Sequence, residues 1–494
     1  MRGLLGIAIL CCAAVGRLAA QVDAAHAQRR PNILVLVSDD QGWADIGFHN
    51  PAVYSPRLDA LAASGARFTQ HYVMPQCTPT RVALLTGRYP SRFGPAARAA
   101  SNEPALPIGT PTLADVTASR GYETFLVGKW HLGSTPANGP NRYGFQHSYG
   151  SLAGAVGMYD HRYRKGPFAD TWQRDGALID GAENGRHTTD LIADEAIRVL
   201  QQEHERPFFL YVAFHAVHTP LDERGTHVDR PTQLDPDDPT RWLDEADIEW
   251  FHDPDGKIQR ERDPEKRLLL AAVHHLDHAI GRIVDALHEA QLADDTLVLF
   301  TSDNGPQVDW PGNAYPDDLK LTDFNQPLPM RGKKVDVYEG GIHVPGFAVW
   351  PGRIAPGTID TPVHVVDWLP TIEALLTAHG DEPSAGRSLP HVDGDGVDLG
   401  PLLFAAADAR AKTTLPDRDL YWTWNTVTNR WALRHGDFKL VRYGKGAPTR
   451  AEQWQLFDLV ADPREAEDLG AQQPEIRQRL HERFLRQHAR DARD

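Results

Sequence analysis

The chain has 494 residues, of which 41% are hydrophobic and 24% are charged, a composition typical of a globular protein with a large core. This length predicts one large domain and one smaller one. The formal net charge is −16, and the sequence contains no long Lys/Arg runs, which excludes nucleic acids and anionic membranes as expected partners.

The N-terminus carries the pattern of a signal peptide over residues 1–27. Arg2 gives a short positive start, an apolar stretch follows, and Ala25 and Ala27 flank a small-x-small cleavage site. An uncleaved anchor is the alternative, and no later segment has the length of a membrane-spanning helix. We therefore expect an exported protein, either periplasmic or secreted, without stable membrane insertion.

Apolar runs predict buried strands at residues 32–37, 124–127, 208–214, 297–301 and 346–350. Helical patterns alternate with these runs, including one after the candidate caps Thr189 and Asp190 and a long one at 268–287. This alternation predicts an α/β fold with a large, mixed, mostly parallel sheet flanked by helices. The larger α/β domain is expected at 28–395, with a surface insertion at 221–264 that is rich in Asp, Pro and Arg.

A smaller C-terminal subdomain is predicted for residues 396–494, after a Gly/Pro/Asp-rich connection at 378–398. Runs at 431–434, 438–441 and 455–459 predict an antiparallel sheet, with a hairpin turn at His435 and Gly436. Residues 474–487 predict a closing helix.

Two acidic pairs follow predicted strands, at the sheet edge where α/β proteins bind ligands. Asp39 and Asp40 follow the first strand, and Asp303 and Asn304 follow the 297–301 strand. Either pair alone is typical of a loop turn. Together they offer only oxygen ligands, which predicts a site for Ca²⁺ or Mg²⁺ rather than for Zn²⁺.

Cys77 is the one cysteine of three that lies outside the predicted signal peptide. An exported protein with a single thiol has no internal disulfide partner for it, so the thiol is either an inert buried group or a chemical one. Thr78 is the expected N-cap of a short helix, Pro79 suits its first helical position, and Gly87 can end it. Position 77 would then face a bound anion together with Arg81.

Basic residues at other strand ends are candidates for contacting that anion. Lys129 and His131 lie in the Gly-Lys-Trp-His-Leu-Gly segment after the 124–127 strand, and His218 follows the 208–214 strand. The Arg-Gly-Lys-Lys segment at 331–334 contributes Lys334. The remaining histidines of these regions are expected to be structural, namely His215, His274, His275 and His343.

These motifs resemble the type I sulfatases of the alkaline phosphatase superfamily over roughly residues 30–485. The resemblance rests on the Cys-Thr-Pro-Thr-Arg segment at 77–81 and on the segments at 128–133, 143–145, 331–334, 338–341, 366–371, 456–459 and 462–463. It is greatest for the arylsulfatase B branch, which is N-acetylgalactosamine-4-sulfatase-like. The implied activity is hydrolysis of sulfate esters, with a sulfated small molecule or glycan as substrate.

The resemblance also implies roles for the residues. Cys77 would be oxidised to formylglycine by a maturation enzyme, and its hydrated aldehyde would attack sulfur. Calcium would be held by Asp39, Asp40, Asp303, Asn304 and the modified residue 77. The sulfate pocket, with its catalytic and substrate-binding side chains, would consist of Arg81, Lys129, His131, His218 and Lys334.

Within this implied mechanism, Asp303 would accept a proton from the nucleophilic hydroxyl. His218 or Lys334 would protonate the leaving alcohol, and His131 would deprotonate the second hydroxyl so that sulfate leaves.

Three departures from the family pattern concern the substrate: His343 replaces a frequent Arg, Ala155 stands where some relatives place a pocket serine, and the 221–264 insertion is long. Two alternatives stay open. The scaffold hydrolyses phosphonate monoesters or phosphodiesters in some relatives, and the chain could be a non-catalytic carbohydrate-binding relative.

Overall fold

The structure is a computed structural model that describes residues 30–163, 169–179, 181–219, 221, 233–234, 242–243, 255–262, 264–308, 330–379, 394–424, 429–446 and 448–492. The predicted signal peptide lies outside these residues, as do most of the predicted insertion and the greater part of the predicted connection before the C-terminal subdomain.

A ten-stranded mixed sheet forms the centre of the fold, as predicted. Its strands in chain order are β1 (Asn32–Ser38), β2 (Ala66–Phe68), β4 (Glu123–Gly128), β5 (His147–Ser151), β6 (Trp172–Arg174), β7 (Ala177–Leu178), β8 (Phe208–Ala213), β11 (Thr296–Ser302), β12 (Gly346–Val349) and β13 (Gly357–Ile359). Two further pairs are small: β3 (His71–Tyr72) with β14 (Val363–His364), and β9 (Gln233–Leu234) with β10 (Trp242–Leu243).

The sheet order is β13-β2-β12-β11-β1-β8-β4-β5-β6-β7. The five strands from β11 to β5 are parallel, so their carboxyl ends meet at one edge. β12, which the apolar pattern alone could not distinguish from its neighbours, pairs antiparallel with β11.

Helices cover both faces of this sheet. In chain order, the helices of the described residues are α1 (Pro56–Ala63), α2 (Cys77–Thr86), α3 (Leu113–Ser119), α4 (Thr188–Leu200), α5 (Lys257–Arg260), α6 (Pro264–Glu289), α7 (Glu339–Ile342), α8 (Trp368–Ala378), α9 (Gly400–Leu403), α10 (Ala407–Arg410) and α11 (Pro474–His488), the last of which packs against the smaller C-terminal sheet. Alternate residues of β1 belong to different cores, because Ile33 and Val35 pack on one face while Leu34 and Leu36 pack on the other. The continuous apolar run of β1 is explained by this two-sided burial.

The smaller antiparallel sheet is confirmed near the C-terminus. It has four strands in sequential order, β15 (Leu420–Trp424), β16 (Asn429–His435), β17 (Phe438–Gly444) and β18 (Gln455–Asp458), and α11 follows it. The sequence analysis missed β15, since all five of its residues are buried and no polar–apolar alternation marks it. The hairpin turn lies at Gly436 and Asp437, one residue later than predicted.

The predicted cap of α4 was wrong. The N-cap is His187, whose Nδ1 accepts a hydrogen bond from the Thr189 backbone N–H at 3.2 Å. The imidazole nitrogen of His187 therefore caps the helix, in place of the Thr189 hydroxyl or the Asp190 carboxylate. The helix begins at Thr188, before both predicted caps. Among the described helices, none is both long enough and apolar enough to cross a membrane.

Candidate active site

Most of the predicted site residues meet at the carboxyl edge of the parallel strands. Asp39 and Asp40 follow β1, Lys129 follows β4, and Asp303 follows β11, all with side chains that are almost completely buried. The carboxyl ends of parallel strands lie side by side, so residues far apart in the chain become neighbours here.

Three buried ion pairs join these side chains. Lys129 Nζ lies 2.5 Å from Asp39 Oδ2, Lys334 Nζ lies 2.8 Å from the Asp40 carboxylate, and Arg81 Nη2 lies 2.8 Å from Asp303 Oδ2. Three carboxylates and three cations give a formal charge of zero. A divalent cation would make this cluster positive and therefore suited to an anionic ligand.

The oxygens of the cluster fit a hard divalent cation. Asp39 Oδ1 and Asn304 Oδ1 are buried and have no hydrogen-bond partner in the described part of the chain, although buried polar atoms are normally paired. Asn304 Nδ2 donates to Asp40 Oδ1 at 2.7 Å, which keeps the two side chains together. Ligand atoms of Asp39, Asp40 and His218 lie within 4.8 Å of one another. This mainly oxygen donor set is typical of Ca²⁺ or Mg²⁺.

The two adjacent carboxyl groups differ in acidity. Burial and the nearby Asp303 raise the pKa of Asp39 well above its usual range, against the opposing charge of Lys129. Burial also raises the pKa of Asp40, but Lys334, His218 and Lys129 outweigh it and lower that pKa to about 2. Asp40 therefore stays ionised at neutral pH.

Asp40 adopts a left-handed backbone conformation with φ of 59°. Aspartate tolerates this region better than most residues, and such conformations concentrate at functional sites.

Cys77 is the first residue of α2, and the expected cap at Thr78 was wrong. The N-cap is Gln76, whose carbonyl accepts the Thr80 N–H at 3.1 Å, and Thr78 Oγ1 instead donates to the His131 carbonyl at 2.9 Å. Pro79 is the third residue of the helix and not the first as predicted, but it still lies in the first turn, where a missing N–H costs nothing. Gly87 ends the helix in the left-handed conformation, as predicted.

The thiol of Cys77 is buried, with 2% of the residue exposed. Burial raises its pKa, while Lys129 and Lys334 act in the opposite direction. These two lysines are therefore the cations whose charge acts most strongly on position 77.

Arg81 is buried and has two polar partners. Its Nη1 donates to the Lys129 carbonyl and its Nη2 donates to Asp303, both at 2.8 Å. That Arg81 faces the anion stays a prediction, and its described contacts hold Lys129 and Asp303. Tyr211 and Asp303 raise the pKa of Arg81 despite the opposing effect of burial, so it stays charged.

His131 is placed by unusual backbone geometry. Its own φ is 58°, and a Cβ at Gly154 would stand only 2.1 Å from its ring atoms, so a side chain at 154 would displace the imidazole. Burial, followed by the charges of Lys129 and Arg81, lowers the pKa of His131 well below its usual range. The ring is therefore neutral and able to accept a proton.

His218 lies at the mouth of the cluster, with its Nε2 3.7 Å from Asp40 Oδ2. Its Nδ1 lies 2.6 Å from the Thr219 carbonyl, which can only accept, so Nδ1 carries the proton. Burial and Lys334 lower the pKa of His218 to about 3, against the effect of Asp40. In this neutral tautomer Nε2 presents a lone pair to the cluster.

Of the predicted basic segment at 331–334, Lys334 reaches the cluster and Arg331 does not. Arg331 donates to the Glu465 carbonyl at 2.8 Å and lies over the Tyr338 ring at 3.9 Å, in the C-terminal part of the fold. Gln307 was missed by sequence analysis, and its Oε1 lies 3.3 Å from Lys334 Nζ. Its position shortly after Asn304 was the only available signal.

Two of the histidines that were expected to be structural, His215 and His343, differ in their position relative to the cluster. His215 is buried just after β8, and its pKa is lowered well below the usual range by burial and then by Lys129. His343 lies away from the cluster, where Nε2 contacts the Thr69 carbonyl at 2.9 Å and Nδ1 lies 3.3 Å from Glu339.

Comparison with known proteins gives one consistent family. The family model described as Sulfatase matches residues 31–378. Arylsulfatase A of Homo sapiens is 30% identical, over 92% of this chain and 86% of the relative. N-acetylgalactosamine-6-sulfatase of Canis lupus familiaris is 31% identical, over 90% of this chain and 83% of the relative.

Solved structures share the fold. The crystal structure of Ps i-CgsB superposes with a TM-score of 0.71 at 26% identity, covering 94% of each chain. The PsFucS1 sulfatase from Pseudoalteromonas sp. gives a TM-score of 0.66 at 23% identity, over 95% of this chain and 92% of its own. The arylsulfatase B-like branch stays a prediction. From the family match and these relatives, we conclude that the chain belongs to the sulfatase family, whose members are sulfuric ester hydrolases.

Proposed function

We propose that this protein hydrolyses sulfate esters through a formylglycine made from Cys77, next to a bound calcium ion. The observation that carries this proposal is the position of Cys77. It begins a buried helix, and Lys129, Lys334, Asp39 and Asp303 all act on the pKa of its thiol. A lone cysteine surrounded by both cations and candidate metal ligands differs from an inert core thiol, which has apolar neighbours.

Asp39, Asp40, Asp303, Asn304 and the oxidised residue 77 would hold the calcium ion. The unpartnered oxygens of Asp39 and Asn304 support this choice of ligands. The ion would supply positive charge near the sulfate group and favour an ionised oxygen at position 77. His218 lies close enough to Asp40 to belong to the same cluster.

The formylglycine, when formed, supplies a hydrated aldehyde with one hydroxyl for attack on sulfur and a second that allows sulfate to leave. Lys129 and Lys334 would hold the sulfonyl oxygens where charge is redistributed. Asp303 would accept the first proton at residue 77. Neutral His131 can accept the proton of the second hydroxyl.

Lys334 is the better of the two candidates for protonating the leaving alcohol. Burial lowers the pKa of Lys334, but the nearby Asp40 outweighs this effect and raises that pKa, so Lys334 carries a proton at neutral pH. His218 keeps its proton on Nδ1, against the Thr219 carbonyl, and presents no proton to the cluster. Lys334 would donate a proton as the bond to the leaving oxygen breaks.

A sulfated sugar is the proposed substrate class. The name N-acetylgalactosamine-6-sulfatase, carried by a relative at 31% identity over 90% of this chain, supports this choice. We also propose export to the periplasm or the exterior from the signal-like residues 1–27, and maturation by a formylglycine-generating enzyme of the host.

The decisive experiment is mass spectrometry of the peptide containing Cys77, combined with turnover assays. Conversion of a thiol to an aldehyde replaces CH₂SH by CHO, a loss of about 18 Da. We expect this loss in active protein and hydrolysis of an aryl sulfate in preference to a matched aryl phosphonate.

Cys77→Ala is the matched control and should fold but not turn over. Cys77→Ser should also be nearly inactive unless the host oxidises serine. Unmodified Cys77 in protein that turns over, or full activity of Cys77→Ala, would contradict the proposal.

A further inference from the structure

Lys334 reaches the active site from a loop and not from the end of a central strand. This loop, residues 331–338, is named the Lys334 loop. Its backbone is tied to the catalytic segments because the Lys334 N–H donates to the Pro306 carbonyl at 2.9 Å and the Val335 N–H donates to the Pro75 carbonyl at 2.6 Å. Pro75 lies two residues before Cys77, and Pro306 two residues after Asn304.

The residue after Lys334 has a strained backbone. Val335 has φ of 69°, in the left-handed region that a β-branched side chain strongly disfavours. Such a conformation persists only where the surroundings impose it. The contacts that impose it also determine where the neighbouring lysine points.

The side-chain contacts to this segment come from the C-terminal sheet, in addition to the backbone hydrogen bonds with Pro306 and Pro75. Arg430 Nη1, on β16, donates to the Val335 carbonyl at 2.7 Å and to Asp336 Oδ1 at 2.6 Å. Tyr443, on β17, donates its hydroxyl to Asp336 Oδ1 at 3.0 Å and accepts the Val337 N–H at 3.1 Å. Together the two side chains engage three successive residues of the Lys334 loop.

Arg430 and Tyr443 also hold each other. They are register partners across β16 and β17, and the Arg430 guanidinium lies 5.0 Å from the centre of the Tyr443 ring. The ring of Tyr443 stacks in turn on Tyr338, the last residue of the Lys334 loop, at 5.0 Å. The pair is therefore a preformed surface against which the loop packs.

We propose that Arg430 and Tyr443 are positioning residues for catalysis. They hold Val335 in its left-handed conformation and so keep the Lys334 ammonium in contact with the Asp40 carboxylate and the sulfate group. The inference rests on the proposed function, in which Lys334 contacts the sulfonyl oxygens and protonates the leaving alcohol. It assigns the C-terminal sheet a part in the reaction although neither residue touches substrate.

The test is a double-mutant cycle on turnover of an aryl sulfate. Arg430→Ala should lower kcat/KM by about tenfold to a hundredfold, because a small displacement of a catalytic group costs that much. Tyr443→Phe removes only a hydroxyl and should give a smaller loss of the same kind. In a Lys334→Ala background both substitutions should cause almost no further loss, because they act through Lys334.

A second measurement does not depend on turnover. Inhibition by inorganic sulfate should weaken in Arg430→Ala and, to a smaller extent, in Tyr443→Phe, but in neither variant by more than in Lys334→Ala. The matched control is Arg442→Ala, an arginine on β17 whose guanidinium lies over Trp431 at 4.9 Å and donates to the carbonyls of Lys445 and Gly446. It should change neither kcat/KM nor sulfate inhibition.

If the losses of kcat/KM in Arg430→Ala and Tyr443→Phe add fully to the loss in Lys334→Ala, the two residues have a general structural role and the inference is overturned. Unchanged kcat/KM in Tyr443→Phe would also overturn it. If Arg430→Ala does not fold, Tyr443→Phe decides the question alone. An inactive wild-type protein with formylglycine at position 77 would instead contradict the proposed function.

Discussion

Lys129 and Asp39 form an ion pair with Nζ and Oδ2 2.5 Å apart, and neither side chain has any exposed surface. They follow β4 and β1, which are separated in the sheet by β8. The pair therefore spans the space above the end of β8 and connects the cationic and the acidic sides of the site.

Breaking this pair should destabilise the fold. Lys129→Met leaves the Asp39 carboxyl buried without its cation, and loss of one partner of a buried pair typically costs about 3–5 kcal/mol in the free energy of unfolding. Urea unfolding in the presence of a chelator measures this. The double variant Lys129→Met/Asp39→Asn should recover part of the loss, and a change below about 1 kcal/mol in the single variant would contradict the prediction.

Removing one candidate ligand charge should lower calcium content and activity together. Asp40→Asn is the informative variant because asparagine keeps the side-chain shape and tolerates the φ of 59° at this position. We expect calcium affinity to fall at least as much as the ~10–100-fold typical for loss of a supporting residue.

Asp294→Asn is the matched control for the metal, since Asp294 is exposed and precedes β11, at the opposite edge of the sheet from Asp303. Elemental analysis of protein purified without chelator gives the readout. Stoichiometric zinc without calcium in the wild-type protein would refute the assignment.

Gly154→Ala should reduce turnover without unfolding the protein. The added methyl would stand 2.1 Å from the His131 ring, so the imidazole must move. A displaced general base predicts a fall in kcat on the order of a hundredfold. Gly352→Ala is the control, because a Cβ there meets no atom within 4 Å; its φ of 70° strains an alanine and should lower stability, but kcat should be unchanged. Activity of Gly154→Ala within about twofold of wild type would argue against the assigned role of His131.

The stability of the fold should depend on pH through Asp277 on α6. Its oxygens accept the N–H groups of Leu58 at 2.7 Å and Arg57 at 3.2 Å at the start of α1. Burial raises its pKa to about 7, with Asp59 adding to the effect while the two backbone hydrogen bonds and Arg57 oppose it. His274 Nδ1 also lies 4.0 Å away.

Because the folded state then binds the proton more tightly than the unfolded chain, the free energy of unfolding should fall as pH rises from about 4 to about 7. The contribution is at most about 1.4 kcal/mol per pH unit. Urea unfolding of the wild type and of Asp277→Asn across this pH range isolates the contribution of Asp277. The variant should lack the part of the pH dependence of the free energy of unfolding that comes from this carboxyl group. Asp285→Asn, on the exposed side of the same helix, should retain the wild-type slope, and identical slopes in all three proteins would contradict the prediction.

The net charge of −16 should limit the size of the substrate. A long polysulfated chain is repelled by an acidic surface except near the site, and added salt screens the repulsion. We expect mono- and oligosaccharides to lose sulfate faster than intact polymer, with a difference that shrinks as salt rises. Product analysis at low and high salt measures this, and faster loss of internal sulfates from the polymer at low salt would indicate an open, endo-acting cleft.

The sequence by itself determined where the parallel strands lie and which polar and charged side chains follow them. Continuous apolar runs mark strands that are buried on both faces, and the residues directly after such strands must share one edge of the sheet. Asp39, Lys129 and Asp303 could therefore be placed together before any contact was known. The Cys77 helix was predicted as well, with an error of two residues at its cap.

Only the tertiary structure decided how these residues are paired. Whether Arg81 faces a ligand or holds Asp303, and which ring nitrogen of His218 carries its proton, depends on carbonyls and carboxylates from distant segments. The Lys334 loop gave no local signal of its conformation, since a left-handed valine contradicts local preference and needs Arg430 of the C-terminal sheet to impose it. Local patterns determine where a chain becomes a strand or helix, whereas the positions of catalytic groups depend on packing between segments that the sequence keeps far apart.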